Sequence, residues 1–341
     1  MSKRLPIRIF ASLLVVAAVA TALAAGSLWL IVARSIAQVE GERRLPGLAA
    51  AVRVDRDAAG VPTVVAANRS DLARALGFLH AQERFFQMDT VRRSGSGDLA
   101  GLAGEVALPM DRSRRRHRFK ARAHSLFASL PEEHRALIVA YTEGVNEGLG
   151  ALDHAPWEYT ILRASPAPWL PEDTLLCIYA MYFELQDSDG WAQRRRALAE
   201  KALGPALADF LYAKTEGDDA ALDGSILAEP PIPRGTASQT PATPAPPPAP
   251  PNGSNAFAVS AKRSTGGHAM LANDMHLPIR VPDVWYRARM QIREADDVRV
   301  DLNGVTLPGV PLLVAGSNGK VAWGFTDAYI ETGDAIKLDG V

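Results

Sequence analysis

Ser254 follows a glycine and opens a run of small and apolar residues, in the order Asn252-Gly253-Ser254-Asn255. If the bond between Gly253 and Ser254 is cut, one residue carries both a nucleophilic hydroxyl and a free α-amine. An α-amine has an unperturbed pKa of about 7.7–8.0, so it can accept a proton near neutral pH. A nucleophile with its own base attached needs no separate histidine. Gly253 has no Cβ to crowd the Ser254 hydroxyl as it approaches the preceding carbonyl. The same four residues also read as a turn closing a linker, and taken alone the pattern leaves both readings open.

The elements around Ser254 change character on its two sides. Residues 228–253, AEPPIPRGTASQTPATPAPPPAPPNG, are too dense in proline for a helix or an interior strand and form an extended spacer. Residues 254–341 read as short strands, including NAFAVSAK, VWYRARMQI and VRVDLNGV, separated by Gly, Asn and Pro turns. Residues 35–227 are helix-rich. Two short strands around the Gly60-Val61-Pro62 break lead into a helix capped by Ser70 or Asp71, in which Leu72, Leu76, Leu79, Phe86 and Met88 recur near helical spacing. Further helices are predicted over 131–149 and 171–185, each with proline and carboxylates in its first turn. Two stripes of aromatics, Phe78, Phe85 and Phe86 and then Trp157, Tyr159, Trp169, Tyr179, Tyr182 and Phe183, are expected mostly in the core.

Residues 1–34 form a signal or anchor. From Ile9 to Ala33 the chain carries no charged side chain, and Lys3, Arg4 and Arg8 precede the run. That length suffices to cross a ~30 Å hydrocarbon core, and the flanking charges leave the rest of the chain outside the cytoplasm, in the periplasm or beyond. Ala20-Thr21-Ala22 and Ala22-Leu23-Ala24 offer cleavage sites, yet the run continues past them, so a cleaved signal and an uncleaved anchor both stand. The 341 residues hold 37 Lys+Arg against 38 Asp+Glu, a formal charge of −1, which lacks the basic footprint of a dedicated nucleic-acid binder. The basic run from Arg112 to Arg122 is read as a solvated face balanced by neighbouring carboxylates. Cys177 is the single cysteine, which excludes a disulfide scaffold and a CxxC metal site.

Several blocks in order resemble the penicillin acylase family of N-terminal-nucleophile hydrolases. They begin with Asp57-Ala58-Ala59-Gly60-Val61-Pro62, then Gln82-Glu83-Arg84-Phe85-Phe86-Gln87-Met88-Asp89 and Gly97-Asp98-Leu99-Ala100 with Gly104-Glu105. Ser254-Asn255-Ala256-Phe257 and Leu271-Ala272-Asn273-Asp274-Met275-His276-Leu277 follow, and after them Pro308-Gly309-Val310-Pro311 and Trp323-Gly324-Phe325-Thr326-Asp327. The resemblance covers roughly residues 46–341. It implies an α+β, four-layer αββα fold with Ser254 opening a central strand, and a precursor that cuts itself at Gly253-Ser254 into a small and a large subunit that stay together as a heterodimer.

The resemblance also implies an activity: Ser254 attacks the carbonyl of a small acyl amide, its α-amine takes the proton, and an acyl-enzyme is then hydrolysed. An oxyanion-donating backbone N–H maps to Asp327 or Ala328, and His276 takes the position that orients the amine. A calcium ion is implied nearby, with Glu331, the Gly333 carbonyl and Asp334 as ligands and Asp187 or Asp189 adding a carboxylate. Some members have glutamine where His276 stands, which points away from the narrow phenylacetyl-penicillin type and leaves acyl-homoserine-lactone and cephalosporin-type acylases as alternatives. Ser317 replaces a histidine found in many relatives. The family's large subunit runs several hundred residues, and its second oxyanion donor, an asparagine, falls beyond Val341. The sequence therefore reads as a fragment that is inactive alone, and an inert membrane-tethered binding module is a further alternative.

Overall fold

β1 (Arg53–Arg56) and β2 (Pro62–Ala66) fold back on each other in a computed structural model that describes residues 4–212, 223–225, 230–232, 253–295, 297–327 and 336. The turn between them is built by Asp57, whose Oδ1 accepts from the backbone N–H groups of Ala59 and Val61, both at 2.9 Å. Gly60 sits there at φ +77°, a conformation that costs a glycine little.

α2 (Arg69–Ser96) follows at once. Its cap is Asn68, not Ser70 or Asp71: the helix starts earlier than expected, and the extended Asn68 accepts from the Asp71 N–H at 2.8 Å. The Asp71 carboxylate instead receives the N–H groups of Ala49 and Ala50, which ties down the strand approach. Gly97, left-handed at φ 72°, closes the other end.

Short helices α3 (Ala100–Ala103), α4 (Leu108–Arg115) and α5 (Phe119–Ser129) lead to α6 (Glu132–Gly150), α7 (Trp157–Leu162) and α8 (Pro171–Leu185), with α4, α6 and α7 beginning at or beside a proline as α8 does. α6 lies along α2, and glycines let the two backbones meet: a Cβ on Gly77, Gly144 or Gly148 would run into the backbone of the opposing helix. Leu76, Phe85, Met88, Tyr141, Val145, Tyr159 and Trp169 are fully buried around this contact. In the basic run, Arg115 and Lys120 both pair with Asp98.

After the spacer, β3 (Ser254–Val259) and β4 (Met270–Met275) form a two-stranded sheet. β5 (Tyr286–Glu294), β6 (Asp297–Thr306), β7 (Leu313–Ser317) and β8 (Ala322–Trp323) join β1 and β2 in a six-stranded sheet ordered β1-β2-β5-β6-β7-β8. The β2–β5 pair is parallel, with Thr63 opposite Arg289, and the other pairs are antiparallel. One sheet is thus made from segments on both sides of the proline-rich residues 228–253. Val64 and Ala66 point into the core from β2, and Ala288 and Met290 from β5, as alternation along a half-buried strand requires. The architecture is α+β.

α1 (Arg4–Arg34) is long and apolar enough to cross a membrane: within Phe10–Arg34 an 18-residue stretch has a mean hydropathy of 2.3, and none of that stretch is buried. By its contacts the chain divides into one unit of residues 1–181 with 255–326, and another of 182–254 with 327–341. The second unit contains α9 (Trp191–Leu203) and α10 (Pro205–Leu211).

Candidate active site

Ser254 is half-buried at the start of β3, and its Oγ donates a hydrogen bond to the carbonyl oxygen of Gly253 at 2.7 Å. The hydroxyl therefore stands beside the carbonyl group that precedes it in the chain.

Beside β3, four side chains and one backbone segment converge. Asn273 on β4 donates from Nδ2 to the Asn255 carbonyl and to the Phe325 carbonyl, each at 3.0 Å, and its Oδ1 accepts the Phe325 N–H at 3.1 Å. His276, just past β4, brings Nε2 to 3.2 Å from Asn255 Nδ2 and 3.0 Å from Asp274 Oδ2. One ring nitrogen cannot serve both partners in one state. Unprotonated, it accepts from the Asn255 amide; protonated, it donates to the Asp274 carboxylate. His276 thus reaches the residue after the expected nucleophile through a hydrogen bond that depends on its tautomer.

Asp327 accepts from Gln186 Nε2 at 2.9 Å through Oδ1. Ala328, Glu331, Gly333 and Asp334 lie outside the described residues. Asp187 is used locally: its two carboxylate oxygens accept the N–H groups of Trp191 and Ala192 at 2.9 and 2.8 Å, capping α9. Among the described residues no group of three or more His, Cys, Asp or Glu could hold a metal ion, and Asp189 joins no such group. The described part of the expected calcium set therefore does not by itself make an oxygen cage.

Asn255 and Asn273 lie within the ordered sequence blocks, where neither position by itself points to a role. A signal for Asn273 was present: asparagine disfavours strands, so one inside Met270–Met275 calls for a side-chain hydrogen bond to explain it. Two grooves of about 550 and 710 Å³ run along α2, the second bordered by Phe86 and Trp157, and neither is lined by Ser254 or His276.

Comparison with known proteins identifies the family. The chain belongs to the penicillin amidase family, whose model matches residues 51–339. It is 33% identical over 311 residues to penicillin acylase 2 proenzyme of a Pseudomonas species, covering 87% of this chain and 38% of that protein. It is 30% identical over 317 residues to the acyl-homoserine lactone acylase QuiP of Pseudomonas aeruginosa, covering 88% of this chain and 36% of that protein. The chain thus spans little more than a third of the length of these relatives. A solved thermostable penicillin G acylase from Alcaligenes faecalis superposes with a TM-score of 0.43 at 27% identity, over 50% of this chain and 96% of that one.

Proposed function

We propose that the whole protein is an exported amide hydrolase that releases Ser254 as a chain terminus and removes acyl groups from N-acyl-homoserine lactones. The observation that carries the proposal is the 2.7 Å contact between Ser254 Oγ and the carbonyl of Gly253. Oγ adds to that carbonyl carbon, the bond to the Ser254 nitrogen breaks, and the hydroxyl proton passes to the departing amine. Water then hydrolyses the resulting ester to a Gly253 carboxylate and a free Ser254 hydroxyl. In turnover the α-amine takes the Oγ proton as Oγ attacks the substrate amide, the amine product leaves, and water releases the acid. The backbone N–H of Asp327 or Ala328 meets the oxyanion, a contact of the kind worth about 10²–10³ in rate.

The substrate class follows the relatives: six proteins named acyl-homoserine lactone acylase QuiP match this chain at 27–31% identity. His276 in place of glutamine argues against the narrow phenylacetyl-penicillin type and fits this class and the cephalosporin type alike. The penicillin acylase relative keeps penicillin-type and cephalosporin-type amides as the second reading.

The four-layer αββα fold, the paired subunits from residues 35–227 and from 254 onward, loss of the 228–253 spacer, and retention in the membrane through residues 1–34 belong to the same proposal. So does calcium, which would bind Glu331, the Gly333 carbonyl and Asp334, with a small-subunit carboxylate from Asp187 or Asp189. When bound it would brace the segment that follows Asp327.

The test is mass spectrometry of the full-length gene product. A new terminus beginning Ser-Asn, absent in Ser254→Ala, supports the proposal. Amide turnover by a chain still joined at 253–254 overturns it. Hydrolysis rates across acyl-homoserine lactones of varied chain length, phenylacetyl amides and cephalosporin side chains then separate the two substrate readings.

A further inference from the structure

We infer that Asn273 is a positioning residue for the chemistry at Ser254, a role that rests on the self-cleavage reading above. Its carboxamide uses both N–H donors and its oxygen on backbone groups from two separate segments. Toward Phe325 it pairs with both the N–H and the carbonyl of one residue, so the side chain reproduces a strand bridge. This matters because β8 ends at Trp323, and among the described residues Gly324, Phe325 and Thr326 lie outside any strand. Asn273 takes over where backbone pairing stops.

The third bond goes to the carbonyl of Asn255, the residue directly after Ser254. A single planar amide, with its donors at a fixed angle, therefore pins the residue after the nucleophile and the residue two before Asp327. Phe325 holds the amide oxygen and Asn255 the amide nitrogen, so the group cannot rotate without breaking a bond. The space around it is closed as well: a Cβ on Gly324 would stand 2.6 Å from Asn273 Oδ1 and 2.7 Å from its Cγ. Such a Cβ contact is far below van der Waals separation and would displace the amide. Asn273 sits on an exposed two-stranded sheet and is not in the hydrophobic core. Its geometry suits alignment better than packing. Misplacing a nucleophile by about 1 Å can cost about 10²-fold in rate.

The experiment follows self-cleavage of the full-length protein over time by mass spectrometry in wild type, Asn273→Ala, Asn273→Asp and Gly324→Ala, with thermal unfolding of each. Asn273→Ala and Gly324→Ala are expected to slow cleavage about 10²-fold with the unfolding midpoint unchanged. Asn273→Asp should cleave no faster than Asn273→Ala, because a carboxylate would face two carbonyl oxygens. Hydroxylamine, which splits an accumulated ester, should not restore the rate, since the slow step is ester formation. Restoration by hydroxylamine, wild-type cleavage in both the Ala variants, or slowing that only tracks a lowered midpoint would each overturn the role. A wild-type chain that never splits removes the self-cleavage reading and this role together; a wild type that splits while the variants keep pace removes this role alone.

Discussion

His80 Nε2 lies 2.9 Å from Thr306 Oγ1, joining residues 226 apart, one on each side of the spacer. The bond belongs to a chain whose direction is fixed by its ends. The Thr306 hydroxyl must donate to the Tyr286 carbonyl at 3.0 Å, so His80 Nε2 carries the hydrogen given to Thr306. Nδ1 then accepts from the Tyr141 hydroxyl at 2.8 Å, and that hydroxyl accepts the Gly309 N–H at 2.9 Å. Every donor finds one acceptor only if the imidazole is neutral. α2, α6, β6 and the loop after it are locked together in this way.

Acid should weaken the fold through His80. Burial, reinforced by the charge of Arg84, lowers its pKa from 6.5 to about 3. Between those values the unfolded chain binds a proton that the fold excludes, so stability is whole above the unfolded pKa and falls as pH drops. From about pH 7.5 to about pH 5 the loss is about 2 kcal/mol, read from denaturant midpoints. His80→Gln should lose most of this pH dependence.

Thr306→Val keeps the shape of the side chain and removes the hydroxyl. His80 Nε2–H and the Tyr286 carbonyl are then buried without their partner, which should cost about 1–3 kcal/mol in unfolding free energy. Tyr141→Phe breaks the same chain from the other end. The double variant should cost less than the sum, because both changes disrupt one network.

Arg92 is the least replaceable charge in the core. Its guanidinium binds Asp89 at 2.8 Å, Asp173, and the carbonyls of Ala167 and Pro168, and lies 4.9 Å from the Trp169 ring. Arg92→Leu leaves Asp173 with the Leu170 N–H but no cation, and Asp89 with Arg93 and the Tyr159 hydroxyl, and should destabilise by about 3 kcal/mol. Arg92→Lys should recover only part of that, since an ammonium cannot reproduce the fork. Thermal or chemical unfolding checks both.

Two glycines of α6 should respond with opposite sign. Gly144→Ala forces a methyl into the backbone of Arg74 on α2 and should cost about 3 kcal/mol or more. Gly150→Ala meets nothing within 4 Å and should stabilise the helix by up to about 1 kcal/mol. A parallel pair of unfolding curves decides it.

Much of this protein was legible in its sequence because the signals are local. The Gly60 turn, the helices that begin beside Pro131 and Pro171, the apolar run of residues 9–33 and the strands after Ser254 each depend on periodicity, capping or chain stiffness over a few residues. The ordered motif blocks carried the family. The start of α2 was misplaced because Asn68, Ser70 and Asp71 are all capping residues within one turn, and only the backbone angles choose among them. What the sequence alone could not supply was who meets whom. That β2 runs parallel to β5, that His80 reaches Thr306, and that Asn273 spans Asn255 and Phe325 are facts of long-range pairing. Each unites residues that share no local pattern, so only the closed core and sheet could decide them.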